Sequence, residues 1–134
     1  MSKTPSASIL KGAHLVIGFA VLAVFSASGL YLRYKAPYVY LGDEVSHMMF
    51  RANHIYILMA GLVNVSIGRY VTPVESKNGR FMQSAGLGFA MAGSVVLIYA
   101  FMLEPALGSF ERTRTVLGVA LLFAGTVLHV LSGR

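Results

Sequence analysis

The segment EVSHMMFRANHIYILMAGLVNVSIGR, residues 44–69, decides whether this chain makes three or four long apolar helices. Only 17 residues, Ala52 to Gly68, separate Arg51 from Arg69, and Asn53, His54, Asn64 and Ser66 are among them. That falls short of the roughly 20 helical residues that cross a hydrocarbon core about 30 Å thick. A helix that begins near Val45 and takes Arg51 inside reaches the required length. Without such a helix, the connection from Arg33 to Arg80 would be one long apolar loop, which compact domains rarely contain. The segment is therefore predicted to be a span.

The flanking runs are cleaner. Gly12 to Leu32 is 21 uncharged residues, Phe81 to Leu103 is 23 and Thr115 to Gly133 is 19. Each reaches membrane length unaided. The first run exceeds a secretory signal core and continues directly into Tyr31, Arg33 and Tyr34, so it is predicted to remain as an uncleaved first span. The composition agrees: of 134 residues 56% are hydrophobic and 12% charged, with a mean hydropathy of +0.68. A soluble domain carries about a quarter of its residues as charges. The predicted fold is all-α, an integral membrane bundle of four transmembrane helices near 10–33, 46–69, 81–103 and 114–133. It forms a single domain over 1–134 with both termini on the same side.

Turn residues fall between the runs: Pro37 and Gly42, then Pro73 with Asn78-Gly79, then Pro105 with Gly108. At an offset of 68 residues, Gly18, Ser26, Tyr31 and Pro37 align with Gly86, Ser94, Tyr99 and Pro105, an echo that predicts two helical hairpins in parallel repeat. Lys3, Lys11, Arg69, Lys77, Arg80 and Arg134 would share the terminal side. Arg33, Lys35, Arg51, Arg112 and Arg114 would share the other, a small excess that predicts cytoplasmic termini in a cell membrane of the bacterial inner-membrane type. Tyr31, Tyr34, Tyr38 and Tyr40 supply an interfacial belt on the second side.

Several function classes are excluded. The chain has no cysteine, hence no thiolate metal site, disulfide or cysteine nucleophile. The formal charge of +6 comes from lysines and arginines scattered at the ends of apolar runs, which argues against nucleic acid as a partner. No phosphate loop, nucleophile elbow or zinc motif is present, and no catalytic residue is assigned.

Polar residues within apolar helices are where function concentrates. Glu44, His47, Arg51 and His54 follow at steps of 3, 4 and 3 residues, one stripe at 100° per residue, which continues through Leu58 and Gly61. The stripe is expected to point into the bundle or at another protomer as a cation-rich pocket, or else Arg51 snorkels to the outer headgroups with a bond to Glu44 or Glu104. It makes a poor metal site, because His47 and His54 stand about 10.5 Å apart along the axis, and no metal is assigned. His14 on the first span and His129 on the fourth lie at matched depth on antiparallel helices, with Gly18, Gly118 and Gly125 making room. Facing imidazoles of this kind suit haem b. His54 is a third candidate ligand and Arg51 a candidate partner for a propionate. The small residues Ser84, Gly88 and Ala92 on the third span, flanked by Gly86, Ala90 and Gly93, together with Ala120, Ala124 and Gly125 on the fourth, predict close helix contact within the chain or in a homodimer or larger complex.

Two functions remain open from sequence. One is an electron-transfer module or subunit binding haem b or quinone through His14, His54, His129 and Arg51. The other is an accessory, channel-like or structural membrane protein without a cofactor, acting through helix packing and oligomerisation.

Overall fold

The computed structural model describes residues 5–35, 37, 43–72, 74–107 and 111–133, with side chains from residue 8 onward. Four long helices follow in order: α1 Pro5–Tyr34, α2 Glu44–Tyr70, α3 Lys77–Leu103 and α4 Thr113–Ser132. A single 3-10 turn, Pro105–Leu107, follows α3. Neighbouring helices run antiparallel, so the start of α1 and the end of α4 share one end of the bundle. Tyr38, Tyr40, Gly42, Pro73 and Gly108, which the sequence assigned to a belt or to turns, lie outside the described residues.

The starts of α2 and α3 have local causes. Asp43 caps α2, its carboxylate accepting from Ser46 N at 3.1 Å. The Ser46 hydroxyl and backbone hold this carboxyl below the usual carboxylate range. Ser76 caps α3, its Oγ accepting from Gly79 N at 3.0 Å. Asn78 and Gly79 therefore form the first turn of α3 and not the predicted turn between helices. The serine cap satisfies an otherwise orphaned amide, and Gly79 is packed so closely on Val74 that a Cβ there would meet Val74 Cγ1 at 2.5 Å.

Helices α1 and α2 pack as one hairpin, and α3 and α4 as another. The two crossings are alike. A Cβ on Gly18 would lie 2.7 Å from Val65 N and 3.1 Å from Gly61 O. A Cβ on Gly86 would lie 2.9 Å from Gly125 O and 3.0 Å from the His129 ring. Gly86 stands 68 residues after Gly18, so the echo in the sequence marks the crossing point of each hairpin. His129 takes the place in the second hairpin that Val65 holds in the first. The expected stripe Ser84, Gly88 and Ala92 faces outward, and nothing lies within 4 Å of a Cβ on Gly88. Gly86, Ala90 and Gly93 carry the α3–α4 contact instead.

Helices α2 and α3 are the central pair, each touching both other long helices, one another and the 3-10 turn. Helix α2 carries polar core residues. Its buried face, including Ser46, Phe50, Asn53, Ile57, Ala60 and Asn64, sets polar groups at both ends of the core and apolar ones between them. Ile57, Leu97, Leu122 and Val21, all 5% exposed or less, fill the middle. The outer surface is apolar, with Val16 71%, Phe81 74% and Phe123 70% exposed. Helices α1, α3 and α4 are long and apolar enough to cross a membrane, with mean hydropathies of 2.2, 2.0 and 2.0 in their most apolar windows. Helix α2 does not reach that measure, because the asparagines it turns inward and the arginine it turns outward lower its apolar character.

Candidate functional site

One polar side chain from each helix meets in the half of the bundle that holds the start of α1 and the end of α4. His14 of α1 and Asn64 of α2 are fully buried, Ser94 of α3 is 2% exposed and His129 of α4 is 6% exposed. Ser94 Oγ donates to Ala90 O at 2.8 Å. It therefore accepts from Asn64 Nδ2, 3.0 Å away, and the second proton of that amide goes to Ala60 O at 2.9 Å. The amide is thereby oriented, and Asn64 Oδ1 faces His14 Nδ1 at 3.0 Å. His14 Nε2 in turn stands 2.9 Å from His129 Nε2.

These bonds fix the tautomers of a neutral pair. Asn64 Oδ1 only accepts, so His14 carries its proton on Nδ1 and presents a lone pair at Nε2. His129 must then donate from Nε2, which leaves its Nδ1 as a bare lone pair. That atom is buried and has no hydrogen-bond partner among the described residues. Buried polar atoms nearly always have partners, so an exception marks a place of chemical interest. Beside His129 lies an apolar cavity of about 390 Å³, walled by Ile67 and Tyr70 of α2 and by Thr126 and Val130 of α4.

The geometry limits what the pair can hold. A haem ligated on both faces needs room for the iron and the macrocycle between the two nitrogens. At 2.9 Å, in direct hydrogen-bond contact, His14 and His129 leave none. The two histidines do not fit bis-histidine ligation. His54 stands apart, ten residues before Asn64 on α2, or about 15 Å along the axis. Its ring stacks on Phe25 at 4.1 Å with an interplanar angle of 15°, and its Nδ1 lies 2.9 Å from Ser28 Oγ. It cannot share a ligand with the other two. No protein family, curated protein or solved structure matches this chain. The chemistry must be argued from its own residues.

The polar stripe on α2 does not turn inward. Glu44 and Arg51 are exposed, and His47 and His54 are half-buried. The core-facing arc lies one residue aside, through Met49, Phe50 and Asn53, which is a rotation of about 100°. An amide satisfies itself inside a bundle at lower cost than a guanidinium, which needs an anion as well as hydrogen bonds. Arg51 therefore keeps its charged head outside.

A second cluster at the opposite end of the core centres on Glu104, fully buried at the C-terminus of α3. Its Oε1 accepts from Arg114 N at 2.8 Å and from Thr115 N at 2.9 Å. Its Oε2 accepts from Asn53 Nδ2 at 3.3 Å and from Thr115 Oγ1 at 2.5 Å. Glu104 thus caps α4 from another helix and does not pair with Arg51. Arg112, at the N-cap position of α4, makes no side-chain cap bond of its own. Arg112 Nη2 donates to Asn53 Oδ1 at 2.7 Å, and its guanidinium lies 5.3 Å from the centre of the Tyr56 ring.

Proposed function

We propose that this protein is a four-span membrane bundle that binds a lipid-soluble quinol at His129, as a subunit or accessory of an electron-transfer assembly. The observation that carries the reading is the Nδ1 of His129, buried and without a partner among the described residues, on a side chain that lines an apolar pocket. Sites for small lipophilic molecules combine apolar walls with a few placed polar groups. Because His129 presents a lone pair, the favoured guest is a hydroxyl donor. A quinol qualifies, whereas the carbonyls of a quinone only accept. The apolar exterior supports placement in lipid. The asparagines that help lower the hydropathy of α2 are bonded inside the bundle, as a spanning helix requires.

Binding is tested with a short-chain benzoquinol and its quinone added to purified protein under anaerobic conditions. The quinol should bind and the quinone should bind more weakly, with both lost in His129→Phe. Equal binding of the two forms, or quinol binding that survives His129→Phe, would overturn the site.

The span count is tested separately. With no native cysteine, single cysteines at Lys35, Glu75 and Glu111 can be labelled from either side of sealed vesicles. Lys35 and Glu111 should react from one side and Glu75 from the other. Reaction of Lys35 and Glu75 from the same side would mean that α2 does not cross.

A second reading, assembly through helix packing alone, is favoured by the outward-facing Ser84, Gly88 and Ala92, which none of the described residues covers. Crosslinking through Gly88→Cys in membranes checks it, and absence of a dimer band would remove it.

A further inference from the structure

A groove of about 430 Å³ runs between α2 and α4 at the end of the bundle opposite His129. Arg112, Val116, Val119, Ala120 and Phe123 line it from α4, and Tyr56 lines it from α2. The α4 residues follow at i, i+4, i+7, i+8 and i+11, one face of the helix. Eleven residues at 1.5 Å each make this face about 16 Å long, close to half of a hydrocarbon core about 30 Å thick. The groove is thus as long as one leaflet, apolar along its length, and carries a cation at its outer end.

That cation is not neutralised by its described neighbours. A guanidinium has five N–H donors. Arg112 makes one described hydrogen bond, to the neutral amide oxygen of Asn53, and its Nε has no partner. Both oxygens of Glu104, the nearest buried acid in this cluster, are taken by Asn53, Thr115 and the backbone of Arg114. Stacking on Tyr56 fixes the guanidinium at the mouth of the groove.

We infer that this groove is a binding site for an anionic phospholipid, with the headgroup phosphate on Arg112 and one acyl chain along Tyr56, Val116, Ala120 and Phe123. A planar guanidinium suits phosphate oxygens, and the length and apolarity of the groove suit a single chain within one leaflet. The inference rests on placement of the bundle in lipid but not on the quinol site, which lies at the other end.

The test is native mass spectrometry of protein released from vesicles holding equal amounts of phosphatidylglycerol and phosphatidylcholine with matched chains. Wild-type protein should retain the anionic lipid in roughly tenfold excess, the ratio expected from a charged hydrogen bond. Arg112→Gln should abolish the excess, while Arg114→Gln, whose guanidinium lies over Tyr99 on the other flank, should leave it unchanged. Ala120→Phe fills the groove without touching the guanidinium and should reduce retention of both lipids. No excess in the wild type, an excess that persists in Arg112→Gln, or equal losses in the two arginine variants would overturn the site. So would an Ala120→Cys crosslink between two copies, which would place protein and not lipid in the groove.

Discussion

His14 and His129, 115 residues apart in sequence, meet Nε2 to Nε2 at 2.9 Å across the bundle. A neutral imidazole has one donor and one acceptor, so a bond between two like nitrogens requires them to play opposite roles. Asn64 assigns those roles, and Ser94 orients Asn64. Four helices thereby determine the state of one atom, the Nδ1 of His129.

Removing a member of this chain leaves its neighbours buried and unsatisfied. His14→Ala strands Asn64 Oδ1 and His129 Nε2, and the cost of such stranded groups is about 1–3 kcal/mol each. Removing both histidines should cost less than the sum of the single changes, with a coupling of about 0.5–3 kcal/mol. Unfolding of His14→Ala, His129→Ala and the double variant in detergent checks this, and strict additivity would mean that the bond does not form.

The hairpin crossing gives a prediction of steric origin. Gly86→Ala places a methyl against Gly125 O and the His129 ring, and forcing the helices apart should cost about 1–3 kcal/mol. Gly88→Ala, where the space is open, should change stability by no more than about 0.5 kcal/mol. Thermal unfolding of the two variants side by side makes the comparison.

Glu104→Ala should be among the most disruptive single changes, because four hydrogen bonds converge on that carboxylate and two of them cap α4. The expected loss is about 3 kcal/mol or more. Hydrogen exchange at Arg114 and Thr115 should speed up first, as the start of α4 frays. Arg51→Leu, by contrast, touches nothing in the buried core and should leave unfolding within about 0.5 kcal/mol of wild type.

Asp43 supplies a pH dependence of defined sign. Its folded carboxyl lies below the usual range, chiefly through the Ser46 hydroxyl. Its contribution is therefore complete above the unfolded value near 3.9, and fades as pH falls through the lower folded value. Asp43→Asn should flatten that part of a stability–pH curve, lowering stability at neutral pH and converging with wild type in acid.

The helices themselves were legible in the sequence because uncharged runs bounded by charges define long apolar helices almost alone. The pairing of His14 with His129 was legible for a related reason, since equal depth on antiparallel helices follows from counting. The direction of Arg51 was not legible, because periodicity shows that Glu44, His47, Arg51 and His54 share a face but not which way that face points. Two overlapping arcs on α2 were polar, and the one rich in neutral amides went inward. Glu104 was missed as a cap because its partners, the amides of Arg114 and Thr115, belong to backbone that the side-chain pattern does not display. Asn64, an amide in an apolar helix, was open to expectation as a bond across to the first or third helix, but that it and Ser94 together orient His14 is a relation that exists only once three helices have packed.

The most direct measurement is nitrogen-15 NMR of the imidazoles in wild-type protein and in Asn64→Leu, at neutral pH in lipid. The account predicts a proton on Nδ1 of His14 and on Nε2 of His129, no proton on His129 Nδ1, and a hydrogen-bond coupling between the two Nε2 atoms. Asn64→Leu should scramble the His14 tautomer. Two Nε2-protonated imidazoles with no coupling between them would contradict the buried pair and the quinol site built upon it.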